Sequence, residues 1–114
     1  MIEKLIIDYL TARGLAAFAE EPREATTPPY YVVEKTGGGK TEHLRRATVA
    51  VKSYGETLMA AMKANRAVIA ALSGLDALDE VTRCELNGDY NFTDTAMRRY
   101  RYQAVFDITY YEED

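Results

Sequence analysis

Residues 98–111 read RRYRYQAVFDITYY, and the fold turns on their alternation. Tyr100, Tyr102, Ala104, Phe106, Ile108 and Tyr110 are interleaved with Arg99, Arg101, Gln103, Val105, Asp107 and Thr109. Successive side chains of a strand point to opposite faces, so this is a strand with one apolar face and one mainly polar face. Its even-numbered face needs cover. Just upstream, LDEVTRCEL (78–86) supplies a second strand, and Asn87-Gly88 is a tight-turn signal. The stretch NGDYNFTDTAM (87–97) is too long for a two-residue hairpin loop, so a bulge or an extended loop is expected there.

The cover comes from segments with a different period. Over residues 55–73, Leu58, Met62, Ile69 and Leu72 lie on one helical stripe, with Glu56, Lys63 and Arg66 mostly off it. Alanines at 60, 61, 64, 67, 70 and 71 favour helix and leave a slim surface that can lie close on a sheet, and Gly74 ends the segment. At the other end of the chain, Ile2, Leu5, Ile6, Tyr9 and Leu10 recur at helical spacing, which predicts a helix over 2–13. Gly14 follows Arg13 where a left-handed cap belongs. The short apolar run LAAFAE (15–20) is read as a strand, and the prolines at 22, 28 and 29 make 21–29 a loop. Residues 30–35 and 43–54 are rich in β-formers, and the glycines at 37–39 are expected to form the turn of a hairpin between them. The predicted fold is α+β: a single domain over 1–114 in the order α-β-β-β-α-β-β, two helices on one face of a mainly antiparallel sheet.

The totals agree with one core. The 114 residues are 47% hydrophobic and 28% charged, which is ordinary for a globular domain. Fourteen basic against 18 acidic side chains leave a net charge of −4, which disfavours non-specific binding to a nucleic-acid backbone as the main task. A lone cysteine, Cys84, makes no intramolecular disulfide, MIEKLIIDYLTARG lacks the pattern of a signal peptide, and no run reaches the roughly 20 apolar residues of a membrane span. The expectation is a cytoplasmic product that inserts in no membrane.

TGGGKT (36–41) suggests a phosphate-binding loop, but such a loop needs a glycine where Glu34 stands and must join a strand to a helix; both flanks here read as strands. His43, the only histidine, has no cysteine or second histidine at ligand spacing, so no metal and no cofactor is expected. Cys84 reads as a small core residue and not as a nucleophile. Arg98, Arg99 and Arg101 interleave with Tyr100 and Tyr102 as in a base-stacking platform, yet alternation places the tyrosines in the core and the arginines outside. The acidic end, Glu112-Glu113-Asp114, reads as solvated, with the arginines near it in sequence for charge pairing between subunits. No catalytic constellation emerges, and an enzyme is not expected.

The opening helix MIEKLIIDYL, the hairpin YYVVEKTGGGKTEHLRRATVAVKSYG, the alanine-rich helix and the ending CELNGDYNFTDTAMRRYRYQAVFDITYY together resemble the tail terminator or tail completion proteins of long-tailed bacteriophages and prophages, the class that includes the lambda tail terminator. The resemblance spans nearly the whole chain and rests on no single motif. It implies a homo-oligomeric ring, commonly a hexamer, at the head-tail junction of a virion. Such a ring caps the head-proximal end of the tail tube, stops its polymerisation and meets the head connector or neck protein, while DNA passes through the lumen. The residues this reading puts at assembly interfaces are Lys40, His43, Arg45, Arg46, Asp89, Arg98, Arg99 and Arg101, in or beside the expected loops 21–29, 36–42 and 87–97. A head-closure or neck adaptor of the same virion, and a small non-phage binding module, are the alternatives.

Overall fold

The computed structural model describes residues 1–112. The elements are α1 (Ile2–Ala12), β1 (Ala17–Phe18), β2 (Tyr30–Thr41), β3 (Leu44–Gly55), α2 (Leu58–Leu72), a 3-10 turn (Leu75–Ala77), β4 (Val81–Asn91) and β5 (Tyr100–Tyr111). The strands form one sheet in the order β1-β2-β3-β5-β4, antiparallel throughout except for the short β1–β2 pair. Both helices pack on one face, so the chain has the α+β architecture and element order expected from its periodicities.

β5 organises the core with the central β3 because it lies inside the sheet, between β3 and β4, and its even face is apolar. Ala104, Phe106 and Ile108 stand opposite Val51, Val49 and Ala47 of β3, all buried, and Tyr31 and Val33 of β2 extend the same layer. Ile2, Ile6, Tyr9 and Leu10 of α1 close over it. The Tyr9 hydroxyl donates to the Ala71 carbonyl oxygen at 2.8 Å, tying α1 to α2. Tyr100 and Tyr102, at the start of β5, are only half-buried. α1 ends at Gly14 with φ +81°, the left-handed cap expected there.

Two expectations fail. The glycines do not make the hairpin turn: Gly37, Gly38 and Gly39 are paired within β2 opposite Thr48, Ala47 and Arg46. The reversal occurs at Glu42-His43, where Glu42 takes the positive φ of 56°. β3 explains this, because its alternating residues must match β5 all the way from Leu44↔Tyr111 to Gly55↔Tyr100, and that long register leaves β2 to follow. The loop expected at 87–97 is likewise shorter. β4 runs to Asn91, with the bulge at Leu86/Gly88 that was one of the two expected outcomes, and the connection is residues 92–99.

The second failure concerns α2. Its sheet-facing stripe is Ala61, Ala64, Asn65, Val68 and Leu72, while Met62 and Ile69 are half-buried on the flank and Leu58 is 39% exposed. The cause lies at Gly55. A Cβ there would stand 2.3 Å from the Ala61 nitrogen, so strand and helix touch backbone to backbone and only alanines fit the contact. Thr57 caps the helix by accepting from the Ala60 amide at 3.0 Å. Within Leu58–Ala77 an 18-residue window reaches a mean hydropathy of 1.2, within the range of a membrane span, but here the segment forms the helix packed on the sheet and the 3-10 turn after it.

Candidate assembly interface

The eight residues singled out from sequence divide between the two ends of a molecule 44 Å long. Lys40, His43, Arg45 and Arg46 gather at the β2–β3 tip; Asp89, Arg98, Arg99 and Arg101 lie toward the other end of the sheet. From Arg46 to Tyr54, the partner of Arg101, β3 runs eight residues, roughly 27 Å at strand rise, while Asp89, level with Val51, lies nearer the middle of the sheet. At the tip, Lys40, His43 and Arg46 are exposed, whereas Arg45 is half-buried and its Nε lies 3.9 Å from Glu112. Arg45 and Arg46, consecutive in a strand, point to opposite faces. Glu112 also lies 3.6 Å from the Met1 amino group, so the first residue of the acidic tail pairs within its own chain; Glu113 and Asp114 lie outside the described residues.

The other end is more organised than the sequence suggested. On the sheet face away from the helices, Tyr30 and Tyr54 are directly opposite in register and stack at 4.6 Å with planes 13° apart. Phe18 meets Tyr30 edge-on. Arg99 crosses this cluster: it donates to the Tyr30 hydroxyl at 2.8 Å, pairs with Glu21, and carries its guanidinium 5.2 Å from the Tyr54 ring centroid. Arg101 lies over the Phe92 ring at 4.7 Å and donates from Nε to the Phe92 carbonyl at 2.7 Å. Burial, and then the neighbouring Tyr54, push the Tyr30 hydroxyl above its ordinary pKa, with Arg101 opposing, so it stays a neutral acceptor for Arg99. The arginines are therefore outside the main core, as alternation predicted, but they roof a second cluster of Tyr30, Val32, Tyr54 and Phe18. Misplacing the turn hid this arrangement. A turn centred on Gly38 would set Tyr30 opposite Arg46 and lose the Tyr30–Tyr54 pair.

Asp89 has a different surrounding. It sits on the helix side of β4 and accepts from the buried Asn65 Nδ2 at 2.7 Å, fixing the flank of α2 to the outer strand. Arg98 occupies the 92–99 connection with φ +52°.

Among the described residues, no three of His, Cys, Asp and Glu come together in a metal-holding group. The Cys84 thiol is half-buried against the core, and burial, with Asp76 adding to it, pushes its pKa to about 11, so it is protonated at neutral pH. A groove of about 610 Å³ runs between α1 and the end of β5, walled by Leu5, Tyr9, Leu78, Tyr110 and Tyr111. Along it Lys4 pairs with Asp8 at 2.6 Å, and Arg13 lies over the Tyr9 ring at 3.4 Å. Comparison with known protein families and with curated proteins finds no match for this chain.

Proposed function

We propose that this chain is a virion assembly protein, a ring-forming subunit that caps the head-proximal end of a phage tail tube, ends its polymerisation and joins tail to head. It works without catalysis or cofactor, and DNA passes through the ring. The reading starts from the resemblance of the helix, hairpin, alanine-rich helix and arginine-tyrosine ending to tail terminators. One observation carries it further: the polar candidate residues form two groups at opposite ends of an elongated sheet. A terminator subunit has to meet two unlike surfaces, tube and connector, while its sides close a ring of fixed size. Two separate ends and two long sides fit that demand.

The test is made in the phage. Arg45 is a poor target, since it is half-buried and its Nε lies 3.9 Å from Glu112, so reversal would set two carboxylates together within the subunit. Lys40→Glu with Arg46→Glu changes the exposed tip alone. The expected outcome is a variant folded by circular dichroism that yields overlong tubes, or heads and tails that do not join, in electron micrographs. Normal tails that stay detached from heads would favour the neck adaptor. Normal tails and full infectivity from this variant and from equivalent changes in 21–29 and 92–99 would sink the assembly reading.

A further inference from the structure

We propose that the outer edge of β2 along residues 36–41 receives β4 of a second copy as an added strand, head to tail. The proposal rests on the reading of the chain as a ring subunit and names the lateral contact of that ring. β1 pairs with β2 only at Tyr31 and Val32. Beyond Val32, among the described residues, no strand covers the outer side of β2, and none covers the outer side of β4. Each side therefore presents a row of backbone donors and acceptors, which is a template for another strand. The two rows lie on opposite sides of one sheet. Joining the β2 edge of one copy to the β4 edge of the next leaves one edge of each kind free at every step, the geometry that closes a ring.

Charge selects this pairing over β2 against β2. The distal hairpin, residues 34–46, carries Lys35, Lys40, Arg45 and Arg46 against Glu34 and Glu42. Residues 79–91 carry Asp79, Glu80, Glu85 and Asp89 against Arg83. Two basic hairpins repel; a basic hairpin and an acidic strand attract.

The glycines supply an independent observation. Gly37 and Gly39 sit in a strand with no positive φ, and a Cβ at either would have no neighbour closer than 3.9 Å and 3.7 Å, respectively. The isolated subunit has room for side chains at both positions, and glycine in a strand weakens it. Bare positions on an open edge suit a close approach from outside. Gly39, with Gly38, also floors a trough of about 320 Å³ on the sheet, walled by Arg46 and Asp107 among others. On the matching face of β4 stands Glu85, joined to Arg83 at 2.7 Å in the free subunit, and an added β4 would lie two strand spacings, roughly 10 Å, from the neighbour's β3, within reach of a Glu85–Arg46 pair.

The first experiment replaces Gly37→Val and Gly39→Val together. The expected result is a subunit whose urea midpoint is unchanged or raised and whose association, read by size exclusion with light scattering, is lost. A variant that unfolds would show that the fold itself needs the glycines, and one that assembles normally would show that the edge is not used; either overturns the proposal. The second experiment uses the Cys84→Ser background and mixes Thr36→Cys with Asn87→Cys copies under mild oxidation. A disulfide-linked dimer formed only in the mixture is expected. Linked dimers from Thr36→Cys alone would mean β2 against β2, and rings that form without the mixed link would place the lateral contact elsewhere; both overturn this inference and leave the ring reading standing. A wild-type chain that stays monomeric at millimolar concentration with no mixed link would remove both.

Discussion

The two halves of β2 show what decides whether a strand becomes core. Tyr30, Tyr31, Val32 and Val33 are all buried, odd residues under the helices and even residues in the Phe18–Tyr54 cluster. From Glu34 to Thr41 every residue is exposed except half-buried Gly37. Both halves are laddered to β3, on either side of a register shift between Lys35 and Gly37, so the presence of backbone pairing does not separate them. Cover does. α1, β1 and the roof of Arg99 reach only the first half, and residue type follows: aromatic and β-branched where something packs, glycine and polar where nothing does.

The largest effect should come from the covered half. Tyr31 is among the largest fully buried side chains, and Tyr31→Ala should cost about 3–5 kcal/mol by loss of transfer energy and creation of a cavity. Urea unfolding measures it. A loss under 1 kcal/mol would mean that α1 does not seal this end of the sheet. Hydrogen exchange sharpens the contrast: amides of 30–33 should exchange only with global unfolding, while those facing outward in 36–41 should exchange through local opening.

This division was half legible in the sequence. Tyr30 to Val33 read as strand from their β-formers, and the even face of β5 was plain from alternation. The glycine half misled because Gly-Gly-Gly is a turn signal on local propensity, and the choice was made by distant pairing of β3 with β5. The α2 stripe was missed for a related reason. Periodicity favoured the large residues Leu58, Met62 and Ile69, whereas a backbone contact at Gly55 admits only alanine. Of the eight candidate residues, Arg99 and Arg101 were correctly turned away from the main core, but their aromatic partners could not be found without the hairpin register.

A smaller effect is expected where the second cluster is roofed. Arg99→Ala removes the hydrogen bond to Tyr30, the contact with the Tyr54 ring and the pair with Glu21. The ion pair is partly exposed and contributes little; the cation–π contact and hydrogen bond together should bring the loss to about 1–2 kcal/mol. Limited proteolysis supplies the sharper reading, because residues 19–29 are held at this end through Glu21. Faster cleavage in that loop, with the Tyr31 half of β2 still protected, is the expected pattern. An unchanged rate would mean that Arg99 decorates the cluster and does not hold the loop.

The smallest effect belongs to β4, where Cys84 lies on the helix side but only half-covered. Its thiol pKa is pushed to about 11, first by burial and then by Asp76, so the folded state favours the protonated thiol. The sign follows: the contribution to stability is complete below the ordinary thiol pKa of 9.0 and is lost as pH rises toward 11. At pH 8 the folded chain holds on the order of a hundredfold less thiolate than an unhindered cysteine, and alkylation by iodoacetamide should be slower by about that factor. Steepening of the rate between pH 9 and 11 would place Cys84 with the covered half of the sheet. Reaction at the free-thiol rate at pH 8 would place β4 with the bare half, its inner face as open to solvent as the glycines of β2.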